Sequence, residues 1–248
     1  MTDAPSILNL AAYRFAPVAD PGSLRERLLS AGRRLGVRGT ILVAPEGLNA
    51  FVAGPAPAAH AMLAELRAVP GFETLDAKES WSAEQPFRRF KVKLKREIIR
   101  MNHPAIAPAE GRAPAVDAVT LRRWLDQGHD DNGRPVVMLD TRNDFEVDHG
   151  RFAGAIDWRL RCFTEFPEAV RLHRDAFAGK TVVSYCTGGI RCEKAVLYMN
   201  ELGIEQVWQL EGGILKYFEE TDGRHWQGNC FVFDERTALA PDLLPAPR

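Results

Sequence analysis

The stretch T-V-V-S-Y-C-T-G-G-I-R-C-E-K-A-V-L-Y-M-N, residues 181–200, gathers the side chains of this 248-residue chain best suited to chemistry. It reads as a buried strand ending at Tyr185, a loop opening at Cys186 and a helix beginning near Cys192 and Glu193. Parallel α/β sheets place ligands at the carboxyl ends of their strands, which is where Cys186 falls. Gly188 and Gly189 let the backbone curl so that successive N–H groups point inward, as an anion nest over the sulfur. A helix N-terminus and a nearby cation bring a thiol pKa from about 8.5 down to between about 3.5 and 7.5, and Arg191 closes this loop. Cys186 is therefore expected to be a nucleophilic thiolate at neutral pH, cradled by Thr187, Gly188, Gly189, Ile190 and Arg191. A lone cysteine is otherwise a small buried hydrophobe; here the loop decides for chemistry. Cys192, on the first helical turn, suits either packing or a resolving thiol. Cys162 and Cys230 lack such a setting, and packing is the first reading for both.

Loop length separates two kinds of cysteine site. In the protein tyrosine phosphatases five residues stand between Cys and Arg, a width that suits phosphate, whereas here only four, Thr187 to Ile190, do so. The shorter loop resembles the rhodanese signature, whose cradle fits a persulfide sulfur, and residues 117–221 look like a rhodanese domain. L-D-T-R, Leu139 to Arg142, resembles its D-x-R element, and F-A-G-A-I, Phe152 to Ile156, its second element, with His149, Gly150 and Arg151 in a rearranged order. Asp140 with Arg142 reads as a structural ion pair or a substrate contact; Arg142, at the carboxyl end of a strand on the Cys186 edge, is a candidate substrate-binding residue.

The elements that must position this loop follow from periodicity. Val136–Leu139, a short Ala155–Ile156, Thr181–Ser184 and Val207–Gln209 are apolar runs, most of them followed by a turn and a helix, which predicts a parallel α/β sheet covered on both faces. Earlier in the chain the order is different. Ile7–Phe15 reads as a strand and Pro21–Gly36 as a helix with an apolar stripe and Gly36 as its stop. Strands at Gly39–Ala44 and Leu48–Val52 flank the turn Pro45-Glu46-Gly47. A helix at Ala58–Val69 and strands at Glu73–Trp81 and Phe90–Ile98 complete a β-α-β-β-α-β order with one extra strand, the pattern of a ferredoxin-like (acylphosphatase-like) α+β sandwich. Pro104, Pro108 and Pro114 mark a linker. The expected boundaries are a ferredoxin-like domain at 1–100, a linker at 101–116, a rhodanese-like domain at 117–224 and a C-terminal extension at 225–248.

Composition narrows the class. Hydrophobic residues make up 46% and charged residues 26%, which excludes wholesale disorder. No apolar run approaches the ~20 residues of a membrane span, and the N-terminus has no basic region of a secretory signal, so the expected location is cytoplasmic. The four cysteines show no C-x-x-C pair, which predicts free thiols and no metal site. The net charge of −1, from 32 Lys+Arg against 33 Asp+Glu, excludes a bulk coat of nucleic acid. That balance conceals a cluster: in P-F-R-R-F-K-V-K-L-K-R-E-I-I-R, residues 86–100, seven cations stand against Glu97, a net +6 that leaves −7 for the rest of the chain. Phe90, Val92 and Leu94 alternate with Lys91, Lys93 and Lys95, so one face of the strand is expected in the core and three lysines on the other. This is either an edge strand guarded by lysines or a phosphate-binding face with Arg88 and Arg89. Trp81 and Phe87 are the aromatic candidates for base stacking.

From end to end the chain resembles the rhodanese-domain tRNA uridine hydroxylases. The resemblance rests on G-T-I-L-V-A-P-E-G-L-N-A at 39–50, K-x-S at 78–80, P-F-R-R-F-K-V-K-L-K-R-E-I-I at 86–99, C-T-G-G-I-R-C-E-K at 186–194, G-G-I-L-K-Y-F-E-E at 212–220 and C-F-V-F-D-E-R at 230–236. It departs from the family at Ala50-Phe51, where Gly-Thr is more usual, and over 103–120. The resemblance implies oxygen-dependent conversion of the wobble uridine 34 of tRNA to 5-hydroxyuridine, with Cys186 as the active-site cysteine. It also implies molecular oxygen as co-substrate, the anticodon loop of tRNA as partner, and neither DNA nor a membrane. No flavin, iron, S-adenosylmethionine or P-loop fingerprint is readable beside it. Two other readings of the same loop are a sulfurtransferase carrying a persulfide on Cys186 and a non-catalytic rhodanese-type module that docks RNA or protein.

Overall fold

Leu8, Leu10 and Ala12 are buried along one face of β1 (Ile7–Phe15), which spans the expected residues, with Asn9 buried on the other face. α1 (Pro21–Leu35) starts at Asp20, whose carboxylate accepts the Ser23 N–H at 2.9 Å and hydroxyl at 2.6 Å. β2 (Arg38–Ala44), β3 (Gly47–Pro55), α2 (Ala56–Arg67), β4 (Lys78–Ser82) and β5 (Phe90–Leu94) follow. In the computed structural model, which describes residues 6–246, the five strands form one sheet in the order β4-β1-β3-β2-β5, antiparallel except for β5 alongside β2. Leu8, Leu28, Ile41, Leu48, Met62 and Phe72, none of them exposed, form the core between sheet and helices. This is the acylphosphatase-like unit expected.

Two strands are shorter than their sequence suggests. Residues 69–77 turn twice, with Phe72 N–H donating to Val69 O and Leu75 N–H to Phe72 O, which buries Phe72 and Leu75 before β4 begins. β5 ends at Leu94, which is 50% exposed rather than in the core.

The described residues form two compact units, one running to Ile98 and including Asp234–Arg236, the other made of Ile99–Phe233 and the residues from Thr237 onward. In the second unit, β6 (Ala115–Val116), α3 (Ala118–Gln127), β7 (Val136–Asp140), α4 (Asp144–Val147), β8 (Gly150–Phe152), α5 (Phe166–His173), β9 (Thr181–Tyr185), α6 (Ile190–Glu201), β10 (Val207–Leu210) and α7 (Gly213–Glu220) are followed by β11 (Trp226–Gly228), β12 (Cys230–Phe231) and β13 (Ala238–Leu239). The main sheet is parallel in the order β6-β10-β9-β7. Val182 joins Phe166, Val196 and Met199 on one face, and Val183 joins Leu121, Ile214 and Tyr217 on the other, so the sheet is covered on both sides as expected. Ile156 pairs with Leu139 only as an isolated bridge. The segment read as a linker is not a free tether: Met101, Ile106 and Ala113 are buried in the second core, and β6 pairs with β10. Among the described residues no helix is long and apolar enough to cross a membrane.

Candidate active site

β9 lies between β10 and β7, and all five of its residues are buried. Cys186 follows at its carboxyl end. Gly189, with φ of 101°, turns its N–H onto the Cys186 sulfur at 3.1 Å and opens α6. The outward half of the loop is held by α7. Ile214 N–H donates to Cys186 O at 3.0 Å and Leu215 N–H to Thr187 O at 3.1 Å. That close approach needs Gly213, where a Cβ would lie 2.4 Å from Cys186 O at a φ of +68°. Loop carbonyls thus face α7 and a loop amide faces the sulfur, the polarity of an anion nest.

Charge reinforces the geometry. Burial pushes the Cys186 thiol up, but a hydrogen bond from Cys192, the Arg191 guanidinium and the N–H groups of Arg191 and Gly189 outweigh it and bring the group down to about 5. Cys192 moves the opposite way: burial and the adjacent Cys186 sulfur hold its thiol well above its ordinary value, so it stays a donor. Its sulfur lies 3.7 Å from Thr141 Oγ1. Arg191 is gripped by Glu146 through bonds of 2.6 and 2.7 Å. Burial would raise the Glu146 carboxyl; the Arg191 charge and hydrogen bonds instead hold it below the usual carboxylate range.

The structure brings Cys186, Thr187, Gly188, Gly189, Ile190, Arg191 and Cys192 together as expected from their order, with Gly188 half-exposed and Thr187 and Ile190 at 8% and 9% exposure. Arg142 is a correction. It is fully buried, donates to Asp140 at 2.9 and 2.6 Å and to Gly150 O at 2.7 Å, and stacks over Tyr185 and Trp226. With its donors satisfied inside the protein it secures the D-x-R turn rather than facing a substrate. Cys230 is buried, and burial pushes its thiol up to about 12, so it packs. Its run does fold back to the loop, since Thr187 Oγ1 donates to Phe231 O at 3.5 Å. Cys162 is exposed, 3.0 Å from Thr164 Oγ1.

Sequence reasoning missed Glu146 and Gly213. The signal for Glu146 was the capping box N-D-F-E: Glu146 accepts the Asn143 N–H at 3.0 Å while it holds Arg191. For Gly213 it was a glycine pair opening a helix.

On the first unit Lys91 and Lys93 are exposed along β5, and Lys95 lies exposed just beyond it. Arg89 is exposed, and Arg88 pairs with Glu235 at 2.6 Å. Phe87 is half-buried. Trp81, 41% exposed, sits on β4 at the opposite edge of the sheet, four strand spacings or about 19 Å away, so lysines and Trp81 do not form one patch.

Residues 7–98 match the UPF0176 acylphosphatase like domain and residues 120–220 the rhodanese-like domain. The tRNA uridine(34) hydroxylase of Variovorax paradoxus (strain S110) is 66% identical over 237 residues, covering 96% of this chain and 90% of that one. Its namesake in Delftia acidovorans (strain DSM 14801 / SPH-1) is 61% identical, covering 97% and 92%. The one in Bordetella pertussis (strain Tohama I / ATCC BAA-589 / NCTC 13251) is 62% identical, covering 97% and 98%. With both domains matched and these alignments running nearly end to end, the chain belongs to the family of tRNA uridine(34) hydroxylases.

Proposed function

We propose that this chain hydroxylates uridine 34 of tRNA to 5-hydroxyuridine in the cytoplasm, with molecular oxygen as co-substrate and Cys186 as the catalytic nucleophile. The observation that carries the reading is a cysteine brought down to about 5 at a strand end, in a chain 66% identical to a tRNA uridine(34) hydroxylase. A thiolate is the form that adds to an electron-poor ring carbon. Addition of the Cys186 sulfur to C6 of uracil moves electron density to C5, which then reacts with oxygen. One oxygen atom replaces the C5 hydrogen as hydroxyl and the other leaves as water, with two electrons and two protons drawn from a thiol reductant. Loss of the sulfur from C6 restores the ring. Lys91, Lys93, Lys95, Arg88 and Arg89 supply the phosphate contacts that hold the anticodon arm.

The deciding experiment is mass spectrometry of tRNA nucleosides from a strain lacking this gene, complemented with wild type or Cys186→Ser and grown with and without oxygen. Wobble 5-hydroxyuridine is expected only with wild type and oxygen. Its restoration by Cys186→Ser overturns the reading. The four-residue loop and the Gly189 N–H on the sulfur also suit a persulfide. A thiosulfate:cyanide assay on the purified protein tests that second reading.

A further inference from the structure

The run Cys230-Phe231-Val232-Phe233 has no part in the chemistry above, yet it builds an unusual surface. Val232 is buried just past the end of β12, while Phe231 before it is half-buried and Phe233 after it is exposed in a bend. Their rings meet edge to face at 5.1 Å, and Phe145 closes the cluster at 5.2 Å from Phe231 and 6.3 Å from Phe233. His149 lies 5.3 Å from Phe231. Phe145 and Phe233 are 42% and 51% exposed, although a ring of that size is ordinarily covered.

The cluster is tied to both ends of the cysteine loop. Phe231 O accepts the hydroxyl of Thr187, the residue after Cys186. Phe145 directly precedes Glu146, which grips Arg191. Between these two anchors lies Gly188, the half-exposed lip of the loop.

We infer that Phe145, Phe231 and Phe233, with His149 at their edge, form a stacking platform for an unpaired nucleobase of RNA next to the base presented to Cys186. An aromatic surface joined to the loop that presents the Cys186 sulfur offers a π face for one unpaired base beside the thiolate that its neighbour must reach, the splayed arrangement of a single-stranded nucleotide pair. An apolar peptide would use the rings and leave the loop without a partner. The inference rests on the proposed action on tRNA and assigns the site that receives the anticodon loop.

The test uses the full-length protein and an anticodon stem-loop RNA carrying 2-aminopurine in the nucleotide beside uridine 34. Wild type is expected to quench the 2-aminopurine on binding. Phe145→Ala, Phe233→Ala and Phe233→Leu should lose the quenching and weaken the Kd by about 5- to 150-fold, while Phe233→Trp retains both. The alkylation rate of Cys186 should not change in any of them, because the substituted rings are exposed. Wild-type binding and quenching by both alanine variants overturns the platform. Rescue by leucine as complete as by tryptophan also overturns it, in favour of an apolar docking surface for protein. If wild type quenches but forms no 5-hydroxyuridine, the platform stands and the hydroxylase reading falls. If Phe233→Ala hydroxylates with a wild-type KM, the platform alone falls.

Discussion

Glu146 and Arg191 form a two-point ion pair with side-chain exposures of 0% and 6%, and this pair fixes the last residue of the cysteine loop to α4. A buried pair of this kind adds little net stability over an apolar substitute, but losing one partner strands the other charge. Glu146→Gln should therefore lower unfolding stability by about 3–5 kcal/mol, read as a shift of the urea midpoint. In the fraction that remains folded, Arg191 no longer shares its charge with a carboxylate, so the Cys186 thiolate should become still more favoured. A midpoint equal to wild type would show that the pair does not carry the loop.

The sulfur itself gives the second expectation. Alkylation by iodoacetamide follows the thiolate, so its rate plotted against pH should rise through about 5 instead of the 8.5 of a free cysteine. Cys192→Ala removes the thiol that donates to Cys186 and should move the inflection upward; Cys192→Ser keeps a donor and should hold it near wild type. The linkage sign follows from the lowered pKa: the contribution of Cys186 to stability is present above the unfolded thiol value and is lost as pH falls through about 5. An inflection between 8 and 9 in wild type rules the activated thiolate out.

What the sequence made legible was local. β1 has the bounds its alternation implies, because Leu8, Leu10 and Ala12 specify a strand without help from elsewhere. The cysteine loop was legible for the same reason: strand, Cys186, two glycines, Arg191 and helix are contiguous. Glu146 is 45 positions from Arg191, and nothing in its own turn says which cation it meets. β6 is two residues in an alanine–proline segment and becomes a strand only because Gln209 and Leu210 lie beside it. Arg142 had the right residue type at the right edge, but its side chain was claimed by Asp140, Gly150 O and the Trp226 ring, the last of them distant in sequence.

Arg142 therefore yields a prediction opposite to that for a substrate contact. Arg142→Met should strand a buried Asp140 carboxylate and cost about 3–5 kcal/mol of stability, with the KM for tRNA in the folded fraction unchanged. Urea titration and steady-state kinetics together decide it. A raised KM at wild-type stability would return Arg142 to the substrate.

Lys91 and Lys93 should behave as phosphate contacts do. Alanine at both positions should weaken tRNA binding for all sequences alike and reduce the slope of log K against log salt by about 0.7–0.9 per lysine. Arginine at both should preserve the slope. Trp81→Ala, at the other edge of the sheet, should leave it unaltered. Equal slopes for wild type and the double alanine variant would leave these lysines as guards of a sheet edge.

Gly213 tests whether the loop works as a rigid cradle. A Cβ there would meet Cys186 O at 2.4 Å and Gly189 N at 2.7 Å, and both contacts are backbone, so no side-chain rotation relieves them. Its φ of +68° adds strain for any other residue. Gly213→Ala should push α7 off the loop, weaken the N–H bonds from Ile214 and Leu215, and displace the sulfur by about 1 Å, roughly the overlap that a Cβ would have to relieve. Misplacement on that scale costs about 100-fold in rate, so kcat should fall by that order, and the alkylation inflection should climb toward 8.5 as the amide cradle opens. Gly188→Ala is the comparison for stability, since a Cβ at Gly188 meets nothing within 4 Å, and its melting temperature should stay at wild type. If Gly213→Ala keeps the low inflection and the wild-type kcat, α7 does not hold the cradle.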